Sequence, residues 1–387
     1  MRVLTDLDLL GLLSPAALVA VLESAVRAHD AGRAVTPART QLAWEDGTLL
    51  SMPALAEAVF GTKLVCVIPA NAARGLPVTN GLMVLSDRHT GAPLALLNAA
   101  ALTAQRTGAI GALGVKYMTP ADTASVGIIG AGVQGAWQAI FACAMRPIRE
   151  VLYVARSPAS GARFEATVRA QVPGMRLTPC RDARALLART TLVIAATTAA
   201  SPVLPEEPEL LAGKHFVSIG SFKPAMQELP DAVYKLAGEL AIDAEAARQE
   251  VGDVLRPLAK GILTPESVYW IGDLISGRRP IDVNRTTAYK SVGMALYDVY
   301  AAQAFYEAAT RRGVGQEVSL CSAPFGGRAP RYGPLRPAFH TPKRNGPALA
   351  GPWALACVTR GLDQNLKRIP RVVVMVAAEL PVGLLRR

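Results

Sequence analysis

Apolar and polar positions follow two rhythms along this chain, and one gives way to the other near residue 120. Ser14 as a cap and Pro15 at the first helical position lead into apolar residues at helical spacing as far as about His29, which predicts a helix. Residues 34–52 are extended, with a hairpin turn at Glu45, Asp46 and Gly47. Apolar runs at Phe60–Ile68, Gly81–Ser86 and Pro93–Leu97 predict further strands, the last two joined by a turn at Asp87–Gly91. Strands in succession mean an α+β first domain rather than the start of a doubly wound sheet. Leu102–Lys116 is helix-like, and Thr119 and Pro120 end it.

From Val126 the short β-rich runs Val126–Gly130, Val151–Ala155, Leu192–Ala196 and Phe216–Gly220 alternate with helical segments, the signature of an α/β, doubly wound sheet. Ala288–Ala309 is a long helical stretch able to return to the first domain. Asp298 and Glu307 fit a solvated face of it, and Ser291 stands at its start. Residues 1–119 with 290–320 are therefore expected to form an α+β domain, and 120–289 a dinucleotide-binding domain. Residues 321–387, rich in Pro, Gly and Arg, lack periodicity as far as the apolar run Val372–Leu385, too short to span a bilayer. A poorly ordered basic extension is expected there, although a read-through segment has the same look.

One stretch carries chemistry on its face. Ser125-Val-Gly-Ile-Ile-Gly130-Ala131-Gly132-Val133-Gln134-Gly135 places Gly-x-Gly-x-x-Gly between an apolar strand and an Ala-rich helix. Gly130 suits the tight turn, Gly132 the approach of backbone to a pyrophosphate, and Gly135 close packing of helix on strand. The helix N-terminus supplies N–H donors and the positive end of a dipole. A bound dinucleotide is the expectation.

Charge narrows the partners. The net charge is +11, but residues 321–387 hold +9 of it and residues 1–320 only +2. Nucleic-acid binding through so local a charge is salt-sensitive and non-specific, so no specific nucleic-acid role is expected. Five scattered cysteines and four histidines without metal-ligand spacing speak against a zinc site or disulfide framework, and His215 is structural. The N-terminus, with Asp6 and Asp8 in its apolar stretch, does not resemble a signal peptide, and no window is apolar enough to span a membrane. A cytoplasmic protein is expected.

Arg39, Lys63 and Arg106 stand out as cations in the first domain, Lys63 within an apolar strand and Arg106 within an otherwise nearly chargeless helix. A buried cation is costly unless paired, so each needs an anion from the protein or from a ligand. Together they suit a carboxylate clamp.

Residues 1–320 resemble the ornithine cyclodeaminase/μ-crystallin family. The likeness is carried by Lys63, Gly75-Leu-Pro-Val-Thr-Asn-Gly-Leu, Thr90-Gly-Ala-Pro-Leu-Ala-Leu-Leu, Leu102-Thr-Ala-Gln-Arg-Thr, Ile128-Ile-Gly-Ala-Gly-Val-Gln-Gly, Gly220-Ser-Phe-Lys-Pro-Ala-Met-Gln-Glu-Leu and Tyr289-Lys-Ser-Val-Gly. The resemblance implies a dimer formed through a shared β-barrel, a nicotinamide-binding Rossmann domain, and Arg39, Lys63 and Arg106 on the substrate carboxylate. It further implies that Thr197, Thr198 and the Ile219-Gly220-Ser221 backbone line the nicotinamide. Ser291 contacts that region or is a small packing residue.

Departures decide between reactions. Phe222 stands where the cyclising deaminases carry a water-activating aspartate, Met226 replaces a lysine, and Leu50 replaces an acid for the distal amine of ornithine. Phenylalanine accepts no proton. The Gly-Ser-Phe-x-Pro pattern resembles reductases of cyclic imino acids, although Ala225 departs from their usual aspartate. At the end of the second strand of the alternating half, Arg156 and Ser157 replace the acid that NAD enzymes use for the ribose, 21 residues after Gly135. A surface arginine is the plainer account of Arg156. As a cofactor site it favours NADPH, with NADH tolerated.

The expectation is a ketimine reductase that forms L-proline from Δ1-pyrroline-2-carboxylate, or L-pipecolate from the six-membered homologue, with no metal. Lys63 or solvent supplies the nitrogen's proton. An ornithine cyclodeaminase, an alanine dehydrogenase-like enzyme and a μ-crystallin-like binding protein without turnover are the alternatives.

Overall fold

The computed structural model describes residues 1–319, whose strands form two sheets. In the first, β2 (Thr40–Trp44), β3 (Gly47–Leu55), β4 (Val59–Val67), β5 (Thr79–Asp87) and β6 (Pro93–Asn98) run as an antiparallel meander. β1 (Arg2–Leu4) adds in parallel to β6, and β15 (Gln316–Glu317) closes that edge beside β1. Side chains alternate across β4: Val59, Lys63 and Val65 are buried, while Phe60 and Leu64 are exposed. The buried face is covered by the helices Ala99–Met118 and Ala295–Arg312, and Pro15–Asp30 packs on both helices. Ser14 caps this last helix, its hydroxyl accepting from the Ala17 N–H at 3.2 Å.

The second sheet has eight parallel strands: β7 (Ser125–Ile129), β8 (Glu150–Val154), β9 (Arg176–Pro179), β10 (Leu192–Ala195), β11 (His215–Ser218), β12 (Leu240–Ile242), β13 (Val268–Trp270) and β14 (Thr287–Lys290). Their order is β13-β12-β14-β11-β10-β7-β8-β9. The chain winds outward from β7 through β8 to β9, then returns to place β10 on the other side of β7. This is the doubly wound, Rossmann-type α/β fold, and its switch point lies between the carboxyl ends of β7 and β10.

The expected helix from Ala288 begins later. Residues 287–290 are strand β14, inserted between β11 and β12, and the helix starts at Ala295. Between them Gly293 adopts φ +72°, a left-handed turn that ends the strand and reorients the chain. Ser291 therefore lies in this turn, not in a helix. The short strands β9, β12 and β13 are also absent from the sequence expectation. Among the described residues no helix is long and apolar enough to cross a membrane. The expectation for residues 321–387 falls outside the described residues.

Candidate active site

A cleft of about 710 Å³ opens at the switch point, walled by the turn after β7, the end of β8 and the segment after β10. Gly130 has φ +101°, and a Cβ there would lie 2.6 Å from the Ala196 carbonyl oxygen. A Cβ on Gly135 would meet the Gly130 carbonyl oxygen at 2.1 Å, so turn and helix approach closely only because both residues are glycine. Nothing lies within 4 Å of a Cβ built on Gly132, which faces open space. Gly132 is also the N-cap of the helix Val133–Met145 and offers no side-chain acceptor, so the first-turn N–H groups beside the cleft have no side-chain cap. Ala131 and Val133 line the cleft, and Gln134 lies in the first turn behind them.

Arg156 lines the same cleft, joined by Arg163 and Ser160 from the helix Pro158–Gln171. Neither guanidinium is in an ion pair among the described residues. Ser157 is the N-cap of that helix, accepting from the Ser160 N–H at 3.3 Å. Arg163 was not anticipated, although its place two turns after the Ser157 cap was available as a signal.

Thr197 and Thr198 border the cleft after β10, and a buried carboxylate fixes Thr197. Glu228 Oε1 accepts from the Thr197 N–H (2.6 Å) and hydroxyl (2.9 Å). Its Oε2 accepts from the Gly220 N–H (2.7 Å), the Ser221 N–H (3.3 Å) and the Ser218 hydroxyl (2.8 Å). One side chain thus ties together the segments that follow β10 and β11. Asp253 stands behind it, accepting from the hydroxyls of Ser221 and Tyr234 and from the backbone of Glu228 and Leu229. Lys290 Nζ donates to the Ser218 hydroxyl at 3.1 Å, 3.9 Å from the Asp253 carboxylate, and burial pushes its pKa down. Glu228, Asp253 and Lys290 are fully buried. Ile219 is buried at the end of β11, and the Ser291 hydroxyl is committed to Asp243 at 2.8 Å.

A second cleft, also about 710 Å³, is lined by Arg39, Met52, Glu250, Trp270, Gly293 and Ala295, among others. Met52 and Lys63 are directly opposed on β3 and β4, so their side chains share the buried face. Behind this wall Lys63 Nζ lies 2.9 Å from both carboxylate oxygens of Asp298. Arg106 Nε donates to Asp298 Oδ1 at 2.9 Å. Lys63, Arg106 and Asp298 are 2%, 6% and 0% exposed. Asp298 is therefore not on a solvated helix face, as its spacing suggested; that face packs on the first sheet, and the buried cations of β4 and of Ala99–Met118 require an anion there. Burial lowers the Lys63 ammonium to about 8, with Arg106 and Arg39 adding to the shift and Asp298 opposing it. Arg39 is paired with Glu250 across the mouth of this cleft.

The ornithine cyclodeaminase/mu-crystallin family model matches residues 2–313. The chain is 33% identical over 314 residues to the Δ1-pyrroline-2-carboxylate reductase of Bacillus cereus, covering 78% of this chain and 95% of that protein. It is similar to the structure of Thermococcus litoralis Δ1-pyrroline-2-carboxylate reductase in complex with NADH and L-proline, with TM-score 0.77 and 31% identity, over 82% of this chain and all of that one. An archaeal alanine dehydrogenase dimer with bound NAD matches with TM-score 0.75 and 28% identity, over 83% and 99%. The chain belongs to the ornithine cyclodeaminase/mu-crystallin family.

This family member places Phe222 on the segment after β11, 44% exposed, with Lys223 Nζ 5.5 Å above its ring. The nearby acids Glu228 and Asp253 are buried and already engaged by several donors each. Leu50 is half-buried on β3 opposite Gln41. Glu228 and Lys290 lie within motifs that carry the family likeness, yet nothing local in the sequence marks them, or Asp253, Glu250 or Asp298, as site residues. Each draws its meaning from partners distant in sequence.

Proposed function

We propose that this protein is an NADPH-dependent reductase of cyclic ketimine carboxylates, converting Δ1-pyrroline-2-carboxylate to L-proline and Δ1-piperideine-2-carboxylate to L-pipecolate. The observation that carries the reading is the buried cluster of Lys63 and Arg106 on Asp298. Two cations against one carboxylate leave a single positive charge for a substrate carboxylate. The named activities of the relatives support it.

The first cleft suits a dinucleotide, since the open space at Gly132 and the uncapped helix N-terminus match the needs of a pyrophosphate. Gly130, Ala131, Gly132, Val133, Gln134 and Gly135 would hold it there. Arg156, Ser157 and Arg163 would take a 2′-phosphate, with NADH accepted less well, and Thr197, Thr198, Ile219 and Ser291 would shape the nicotinamide end. When bound, the reduced nicotinamide would supply hydride to C2 of the imine, and the nitrogen's proton would come from Lys63 or solvent.

This chain's own residues position the reactants. Lys63 and Arg106, joined by Arg39 when it leaves Glu250, fix the carboxylate so that C2 faces the nicotinamide. Glu228 holds the segments of Thr197 and Gly220 in place. With Phe222 in place of an acid, no carboxylate at that position activates water.

Residues 1–119 with 290–320 act in this reading as substrate and dimerisation domain, and 120–289 as the nucleotide domain. A second copy would cover the outward face where Phe60, Leu64 and Leu82 are exposed, with Leu64 and Leu82 paired in register. The setting is cytoplasmic. An alanine dehydrogenase activity is the second reading, favoured by the archaeal structure.

The test is NADPH consumption by purified protein with Δ1-pyrroline-2-carboxylate, beside ammonia assays with pyruvate and with ornithine. Rapid consumption with L-proline as product supports the reductase. Ammonia-dependent consumption with pyruvate would replace it with the second reading.

A further inference from the structure

We propose that Asp298 is a positioning residue of the carboxylate site: it holds Lys63 and Arg106 side by side and leaves the terminal edge of Arg106 to the substrate. The proposal rests on the clamp reading above.

Asp298 lies in the first turn of Ala295–Arg312, where the helix dipole favours an anion. Its Oδ1 accepts both from Lys63 Nζ and from Arg106 Nε, each at 2.9 Å. The Nε edge of Arg106 is thus committed, and Nη1 and Nη2 donate no hydrogen bond among the described residues. That free edge lies against Gly293, where a Cβ would be 2.3 Å from Nη1. Gly293 itself lines the second cleft, and its own N–H is taken by Asp243 at 2.9 Å. The guanidinium is anchored on its inner edge and unpaired where the wall of the cleft has no side chain, which is how a planar fork is presented to a carboxylate.

Asp298 also governs charge. The charged groups facing Lys63 are Asp298 and Arg106 from the two covering helices and Arg39 from the segment before β2. Of these, only Asp298 favours the ammonium. Lys63 is protonated below about 8 and neutral above it, so carboxylate affinity falls as pH rises through that value.

The experiment uses the full chain and pyrrole-2-carboxylate, a planar carboxylate with no imine to reduce, whose binding is followed by fluorescence of Trp270 in the cleft. Asp298→Asn is expected to weaken binding about tenfold at neutral pH and to move the loss of affinity down by about one pH unit. Dinucleotide affinity should stay within about twofold. Asp298→Glu, which keeps the charge, should restore the midpoint. A midpoint unmoved in Asp298→Asn overturns the proposal, because a merely structural role predicts that result. Should Asp298→Asn not fold, the Lys63 resonance in ¹³C-lysine-labelled protein, assigned by its loss in Lys63→Gln, gives the same answer. Its midpoint should rise in Arg106→Gln, where the neighbouring like charge is gone and Asp298 pairs with Lys63 alone, and an unchanged value overturns the proposal. Wild-type protein that neither binds the carboxylate nor reduces the imine would defeat the clamp reading, while the Lys63 titration would still decide the role of Asp298.

Discussion

The two clefts are almost equal in volume, and in the proposed reading they would recognise charge by opposite means, one as the nucleotide cleft and the other as the substrate cleft. The first is built mostly of backbone, a glycine turn and an uncapped helix N-terminus around open space, with two arginines that form no ion pair among the described residues. Its donors keep their water until a ligand arrives, so little charge is buried beforehand. The substrate cleft instead backs onto two cations and one carboxylate that are almost wholly withdrawn from water. Removing Asp298 there leaves two cations without a partner in a poor solvent for charge, which costs several times more than removing a surface contact. In that reading, local backbone geometry would make a tolerant phosphate site, and long-range burial of unequal charge a demanding carboxylate site.

The sharpest way to break this contrast is Arg106→Ala. Asp298 keeps Lys63 as its sole partner, so the fold should survive, yet the free positive charge is gone. Steady-state kinetics should show kcat/KM for the imine falling about a thousandfold, as for loss of a buried charged contact. Dinucleotide affinity should change less than about twofold; an equal loss in both would mean that the clefts are not independent.

A smaller effect is expected from Gly135→Ala. The added methyl would meet the Gly130 carbonyl oxygen at 2.1 Å, and helix or turn must move apart. Overpacking of this kind costs about 1–3 kcal/mol. Calorimetric titration should show weaker dinucleotide binding with pyrrole-2-carboxylate binding retained, the mirror image of Arg106→Ala.

The smallest expected change is in cofactor choice. Arg156→Glu replaces a cation by an acid suited to ribose hydroxyls, and the NADPH to NADH preference should fall by about tenfold, equivalent to about 1.4 kcal/mol. Arg163 stays in place to moderate the loss. No change in the ratio of the two kcat/KM values would make Arg156 an ordinary surface residue.

Features that depend on neighbours along the chain can be read from the order of residues alone. The Gly130–Gly135 turn, the strand before it, the helix after it and the alternating half were legible, because strand, turn and helix are set within about a dozen residues. The hairpins of the first sheet and the Ser14 cap were legible for the same reason. The sequence also exposed Lys63 and Arg106 as charges in apolar surroundings, which is a demand for a partner but not its address. The folded chain supplies that address: Asp298, 235 residues after Lys63, on a helix whose spacing suggests a solvated face. It likewise placed Thr287–Lys290 as an inner strand, since pairing with β11 and β12 outweighed a helical pattern. Glu228 and Asp253 acquire their roles in the same way, by closing on the backbone of β10 and β11. A buried charge is tolerable only where its counter-ion and donors converge in space, and no local pattern records that convergence.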